Sequence, residues 1–399
     1  MKQNETLLPR FDAIQQRALY VAAAGIALLA VGAITSRADF YQSYLYGYLL
    51  WMGLTLGCLG LLLLHHLVSG SWGHITQRTM EAAVRTLPFM AVLFLPIVLG
   101  LHELYPWTNH EVAAASHAVE KKLGYLNIPF FLARQALYFA LWIGIGWWVT
   151  KKSREQDASA DPTLTRTMKI VSGPSMVFFV LTVTLASVDW MMSLEPEWYS
   201  TIYGVGRIVG AALTALAFCI ILVRLLARYE PVAAIVTTRH FHHLGNLMMA
   251  FTILWAYIAF SEFLIIWSGN LPEDNMWHLR RMNAEWSTLA TVLIVGHFAV
   301  PFGLLLSRER KRHIESLARI AVFILVMRCI DMYWLVFPAF NDHRFHFHWL
   351  AIVAPVALGG IWVWLFIAHL KPHPLVPLHD PRFYKGMIAH DHPELQHER

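Results

Sequence analysis

The chain has 399 residues, 57% of them hydrophobic and only 14% charged, with 21 histidines and three cysteines. A soluble domain carries about 25% charged residues, so this composition, with a mean hydropathy of +0.48, excludes an ordinary water-soluble fold and makes lipid the expected solvent. The net charge of +5 comes without a basic patch interleaved with aromatics, which argues against nucleic acid as a partner.

A membrane helix needs roughly 20 mostly apolar residues. Ten such runs follow one another: 18–35, 44–67, 87–104, 128–149, 176–194, 203–226, 244–267, 286–306, 317–337 and 348–370. An open sheet could not satisfy its backbone in hydrocarbon, so the expected fold is all-α, a polytopic membrane bundle forming one domain over 1–399. The polar start has no cleavable signal pattern, and the first run is expected to be an uncleaved anchor. About 22 of the 31 Lys and Arg gather at one set of helix ends, among them Lys151, Lys152, Arg308 and Arg310, against about six at the other. Flanking cations stay on the cytoplasmic side, so both termini are expected there.

Distant segments match in order. Leu45-Tyr46-Gly47 pairs with Ile202-Tyr203-Gly204, Glu103 with Glu262, Lys151-Lys152-Ser153-Arg154-Glu155 with Ser307-Arg308-Glu309-Arg310, and Val188-Asp189-Trp190 with Ile330-Asp331-Met332. This weak repeat predicts two parallel four-helix bundles, 44–194 and 203–337, flanked by the first and tenth helices. The stretch 371–399, with five prolines and His373, His379, His390, His392 and His397, has no helical periodicity and reads as a cytoplasmic tail for docking a partner rather than a metal site.

Charges inside lipid cost at least about 2.5 to 3.5 kcal/mol at mid-helix, which makes each a functional hypothesis. Arg134, Asp189, Arg207, Glu262, Arg328 and Asp331 lie deepest, three cations against three anions, as buried ion pairs require. Arg328 and Asp331 stand one turn apart and can pair within their own helix. Asp189 has no cation in its helix and reads as the freer acid. Asp189, Asp331, Glu262 and Glu103 are therefore candidates for outer proton half-channels, with His297, His65 and His66 towards the inner side; the alternative is that these charges merely pin helices together. No residue reads as catalytic. Cys58, Cys219 and Cys329 are isolated, and no haem-attachment, iron–sulfur or zinc spacing occurs. His65, His66, His102 and His297 do not match in depth as a haem b pair, so no metal or haem is expected in this chain.

The stretch Ser187-Val188-Asp189-Trp190-Met191-Met192-Ser193-Leu194-Glu195-Pro196-Glu197-Trp198-Tyr199-Ser200-Thr201 resembles the segment typical of the F subunit of alternative complex III, a quinol:electron-acceptor oxidoreductase, within the NrfD/PsrC-like superfamily. The short tail with His379-Asp380-Pro381 fits the same resemblance. It implies a multi-pass subunit of the bacterial inner membrane beside a homologous NrfD-like membrane subunit, with periplasmic iron–sulfur and c-type cytochrome subunits carrying the clusters and haems. In that family the quinol site is a feature of the other membrane subunit, so this chain would be scaffold with a share in proton conduction. The alternatives are a quinol-binding catalytic subunit holding ubiquinone or menaquinone and, more remotely, a transporter.

Overall fold

The computed structural model describes residues 7–380 except 110, 112, 113, 115, 160 and 342–344, with side chains left out at 273, 274 and 284. Residues 381–399, with His390, His392 and His397, lie outside the described residues, as does Arg344. Among the described residues there is no strand. Ten helices among them are long and apolar enough to cross a membrane: α1 (Leu8–Thr35), α2 (Arg37–Val68), α3 (Ser71–Leu99), α4 (Ile128–Ser159), α5 (Pro162–Leu194), α6 (Tyr203–Leu226), α7 (Thr238–Gly269), α8 (Glu285–Leu306), α9 (Ile314–Ala339) and α10 (Leu350–Leu370). The all-α polytopic class holds.

The third helix departs from expectation by beginning at Ser71 instead of residue 87. Its first part, Ser71–Val84, carries His74, Gln77, Arg78 and Glu81, which hydropathy reads as a loop; every residue from Trp72 to Val84 is buried in protein. Polar side chains are tolerated at that depth because they face other helices instead of lipid. Further along, Pro88 and Pro96 interrupt α3. Proline frees backbone carbonyls, and neighbours must satisfy them. The Tyr48 hydroxyl donates to the Met90 carbonyl at 3.1 Å and the Tyr44 hydroxyl to Leu93 at 2.8 Å.

Helices α2 to α5 pack in a closed ring, and so do α6 to α9; α2 and α5 meet α6 along the seam between the rings. Small residues set the close approaches, as between membrane helices generally. A Cβ on Gly57 would stand 2.0 Å from the Ala211 carbonyl oxygen across the seam. On the flank, α1 lies against α10, with Gly25 against Ala357 and Gly360 against Ala22. The start of α1 and the end of α10 lie on one face, where Lys371 Nζ is 2.5 Å from Asp12; this is the terminal face, the other the far face.

Candidate functional site

Among the described residues, four buried polar clusters interrupt the apolar interior. The first lies in the α2–α5 ring near the far face. Asp189, fully buried at the end of α5, receives two bonds from Arg134 of α4, at 2.9 Å from Nε and 2.8 Å from Nη2. The Gln135 amide and the Tyr138 hydroxyl each donate to the same carboxylate at 3.1 Å. Gln135 in turn accepts from the Trp190 indole at 2.7 Å. Beneath, Arg134 is stacked on the Tyr125 and Phe130 rings. In the loop before α4, burial pushes the Tyr125 phenol up to about 12. The expectation that Asp189 is the freer acid therefore fails: the cations of its own helix, Arg166 and Lys169, lie more than five turns away, but α4 supplies Arg134.

A few residues on, Glu195 accepts from Arg281 at 2.8 Å and from Arg280 at 3.3 Å. Arg281 is itself buried, lies over the Trp277 ring and donates to the Trp277 and Leu335 carbonyls. Stacking of Trp198 on Trp277 closes the junction. Both Glu195 and Arg281 look like interfacial flanking residues in the sequence, so nothing there signals the pair.

In the α6–α9 ring, Arg328 and Asp331 form the expected pair, buried, and Arg328 Nε also donates to the Thr214 hydroxyl at 3.2 Å. Arg207 is half-buried beside the Tyr203 ring. It shares with Arg328, Ser187 and Gly53 a cavity of about 50 Å³ on the seam. Glu262 accepts from the Ser200 hydroxyl and has no ion-pair partner among the described residues. Its sequence counterpart Glu103 is exposed and pairs with Arg37 at 3.1 Å, so these two acids occupy different environments. His297 is fully buried, with neither ring nitrogen hydrogen-bonded among the described residues, packed on Trp255 at 4.0 Å between ring centres. It sits in a π-helical turn, Leu293–Ala299, a rare distortion that often accompanies function.

The fourth cluster lies towards the terminal face. Arg78 bridges Glu81 and Asp157, each at 2.5 Å, while Gln77 donates to Glu81 and Ser153 at 2.9 Å. The segment following α10 docks onto it: the Leu378 amide donates to Asp157 at 3.0 Å, and His379 Nδ1 is 2.7 Å from the Asp157 carbonyl. Leu375, Val376 and Asp380 are buried, so this part of the tail packs on its own bundle. His65 and His66, candidates from the sequence, are also fully buried here, and His74 and Asp380, which were not site candidates, come close to His65. Taken singly, His74 looked like a loop histidine and Asp380 part of a tail motif.

The six deep charges are thus brought into two separate pairs plus Arg207 and Glu262, and His65 and His66 lie at the opposite end of the molecule from Asp189. Comparison of the chain with models of known protein families gives no match, and neither does comparison with individual characterised proteins.

Proposed function

We propose that this chain is a membrane-integral scaffold subunit of a quinol:electron-acceptor oxidoreductase of the alternative complex III type. What carries the reading is the Ser187–Thr201 stretch, the one that resembles that family. Two of its three acids are clamped by arginine from another segment, Asp189 by Arg134 within the first ring and Glu195 by Arg281 from the second, so the stretch acts as a clasp joining the rings at the far face. A carboxylate engaged by four donors is a poor proton carrier, because giving up its charge would strand a buried guanidinium. That supports scaffolding over a relay through Asp189. A quinol-binding catalytic role has less support: sites for such ligands occupy about 300–1,000 Å³ and are lined mostly by apolar side chains, whereas the seam cavity of about 50 Å³ has room for a few waters and a pocket of about 390 Å³ near the terminal face is lined largely by charged residues, among them Arg85, Lys151, Arg154 and Glu155.

The test is isolation of the tagged chain from its native membrane. Iron–sulfur and c-type cytochrome subunits should accompany it in fixed ratio, quinol-dependent reduction of an acceptor should fall when the chain is deleted, and the chain alone should give no haem band in a reduced-minus-oxidised spectrum. An isolated chain that carries bound quinone would favour the catalytic reading. One that moves solute into vesicles without redox partners would favour a transporter.

A further inference from the structure

The geometry points to a divalent transition-metal site built from His65, His74 and Asp380, towards the terminal face of the bundle. This does not rest on the function proposed above. One ligand atom of each residue lies within 4.8 Å of those of the other two, and all three side chains are buried. They come from three separate segments: the last turn of α2, the first turn of α3 and the segment after α10. Around a tetrahedral ion with bonds of about 2.0–2.2 Å, donor atoms sit about 3.3–3.6 Å apart. Closing the triangle therefore asks for side-chain movements on the order of 1 Å.

Backbone features fix this arrangement. Ser69 adopts φ 61° and reverses the chain between α2 and α3, laying the start of α3 on the end of α2. At Gly73, next to His74, a Cβ would stand 1.8 Å from His65 Nδ1, so only glycine lets the α3 backbone lie against that imidazole. The His74 and His65 rings then meet nearly at right angles, with ring centres 5.0 Å apart. Asp380 is delivered by the docked tail, whose Leu378 and His379 hold Asp157. Two imidazoles and one carboxylate suit zinc, iron(II), cobalt(II) or nickel(II) and not calcium or magnesium, which take oxygen ligands. Three protein ligands leave a coordination position for water.

The experiment uses the full chain in detergent, stripped with chelator and titrated with Zn²⁺ and with Co²⁺. About one ion should bind per chain, and Co²⁺ should give the visible ligand-field bands of a low-coordinate nitrogen and oxygen site. His74→Ala and Asp380→Asn should each weaken binding at least tenfold and abolish those bands. A variant with His390, His392 and His397 all replaced by alanine should bind as wild type, separating the site from adventitious capture by the tail. Each variant is compared after size-exclusion chromatography, and His74→Gln repeats the measurement if His74→Ala aggregates. Absence of stoichiometric binding to the intact chain, or binding indifferent to both substitutions, would overturn the site.

Discussion

Asp189 and Arg134 illustrate how much a single residue reveals before the structure. An acid among apolar residues is legible as buried, and so is an arginine in the next helix, but their union depends on the rotation of two helices about their axes, which a pattern this apolar leaves open. Arg328 and Asp331 were legible as a pair because three residues on one helix fix their geometry. Glu195 and Arg281 were not, since each sits near a helix end where charge is ordinary. Asp189→Asn should lower stability by about 3–5 kcal/mol, the range for stranding one member of a buried ion pair. Asp331→Asn should do the same through Arg328. The double variant Asp189→Leu with Arg134→Met should recover most of the loss, because hydrophobic replacement of a whole buried pair is often neutral. Unfolding midpoints in detergent give the comparison, and an Asp189→Asn protein as stable as wild type would return that acid to candidacy as a proton carrier.

At the scale of elements, hydropathy located all ten helices, for apolar length is what lipid demands. It missed the buried polar start of α3 because hydropathy records side-chain chemistry and not which side chains a neighbour covers. The seam offers a controlled test of packing. Gly57→Ala places a methyl against the Ala211 carbonyl and should cost about 1–3 kcal/mol by overpacking. Gly53→Ala, only four residues away on α2, meets nothing within 4 Å. It should be neutral or gain up to about 1 kcal/mol of helix preference. The short helix Pro272–Arg280 supplies a pH test. Burial, with Arg281 beside it, lowers the His278 pKa to about 4. The unfolded chain, near the ordinary value of about 6.5, then binds more protons between those limits, so stability is full above about pH 6.5 and falls as pH drops towards 4. His278→Gln should flatten that part of the profile of unfolding midpoint against pH.

For the whole molecule, the remaining question is which face meets the cytoplasm. The fold requires both ends of the helical bundle to share a face, and Lys151, Arg308 and Arg310 share it with them. Lys and Arg near helix ends resist translocation across the energised membrane, and their bias of about 22 to six predicts that this terminal face is cytoplasmic. Two counted cations, Arg78 and Arg281, are buried in ion pairs, but each still lies on its assigned side, so the bias survives their removal. Labelling can decide it once the native thiols Cys58, Cys219 and Cys329 are replaced by alanine. Gly124→Cys and Leu271→Cys stand on exposed far-face positions, and Lys151→Cys and Arg310→Cys on exposed terminal-face positions. An impermeant maleimide added to intact cells should modify the first two alone, and inside-out vesicles should show the reverse. The opposite pattern at two or more positions would invert the molecule. The Asp189 and Glu195 clasp would then face inwards, away from periplasmic electron-transfer partners, and the scaffold reading would fall with the orientation, whereas the convergence of His65, His74 and Asp380, being internal to the chain, would stand and merely draw its metal from the other compartment.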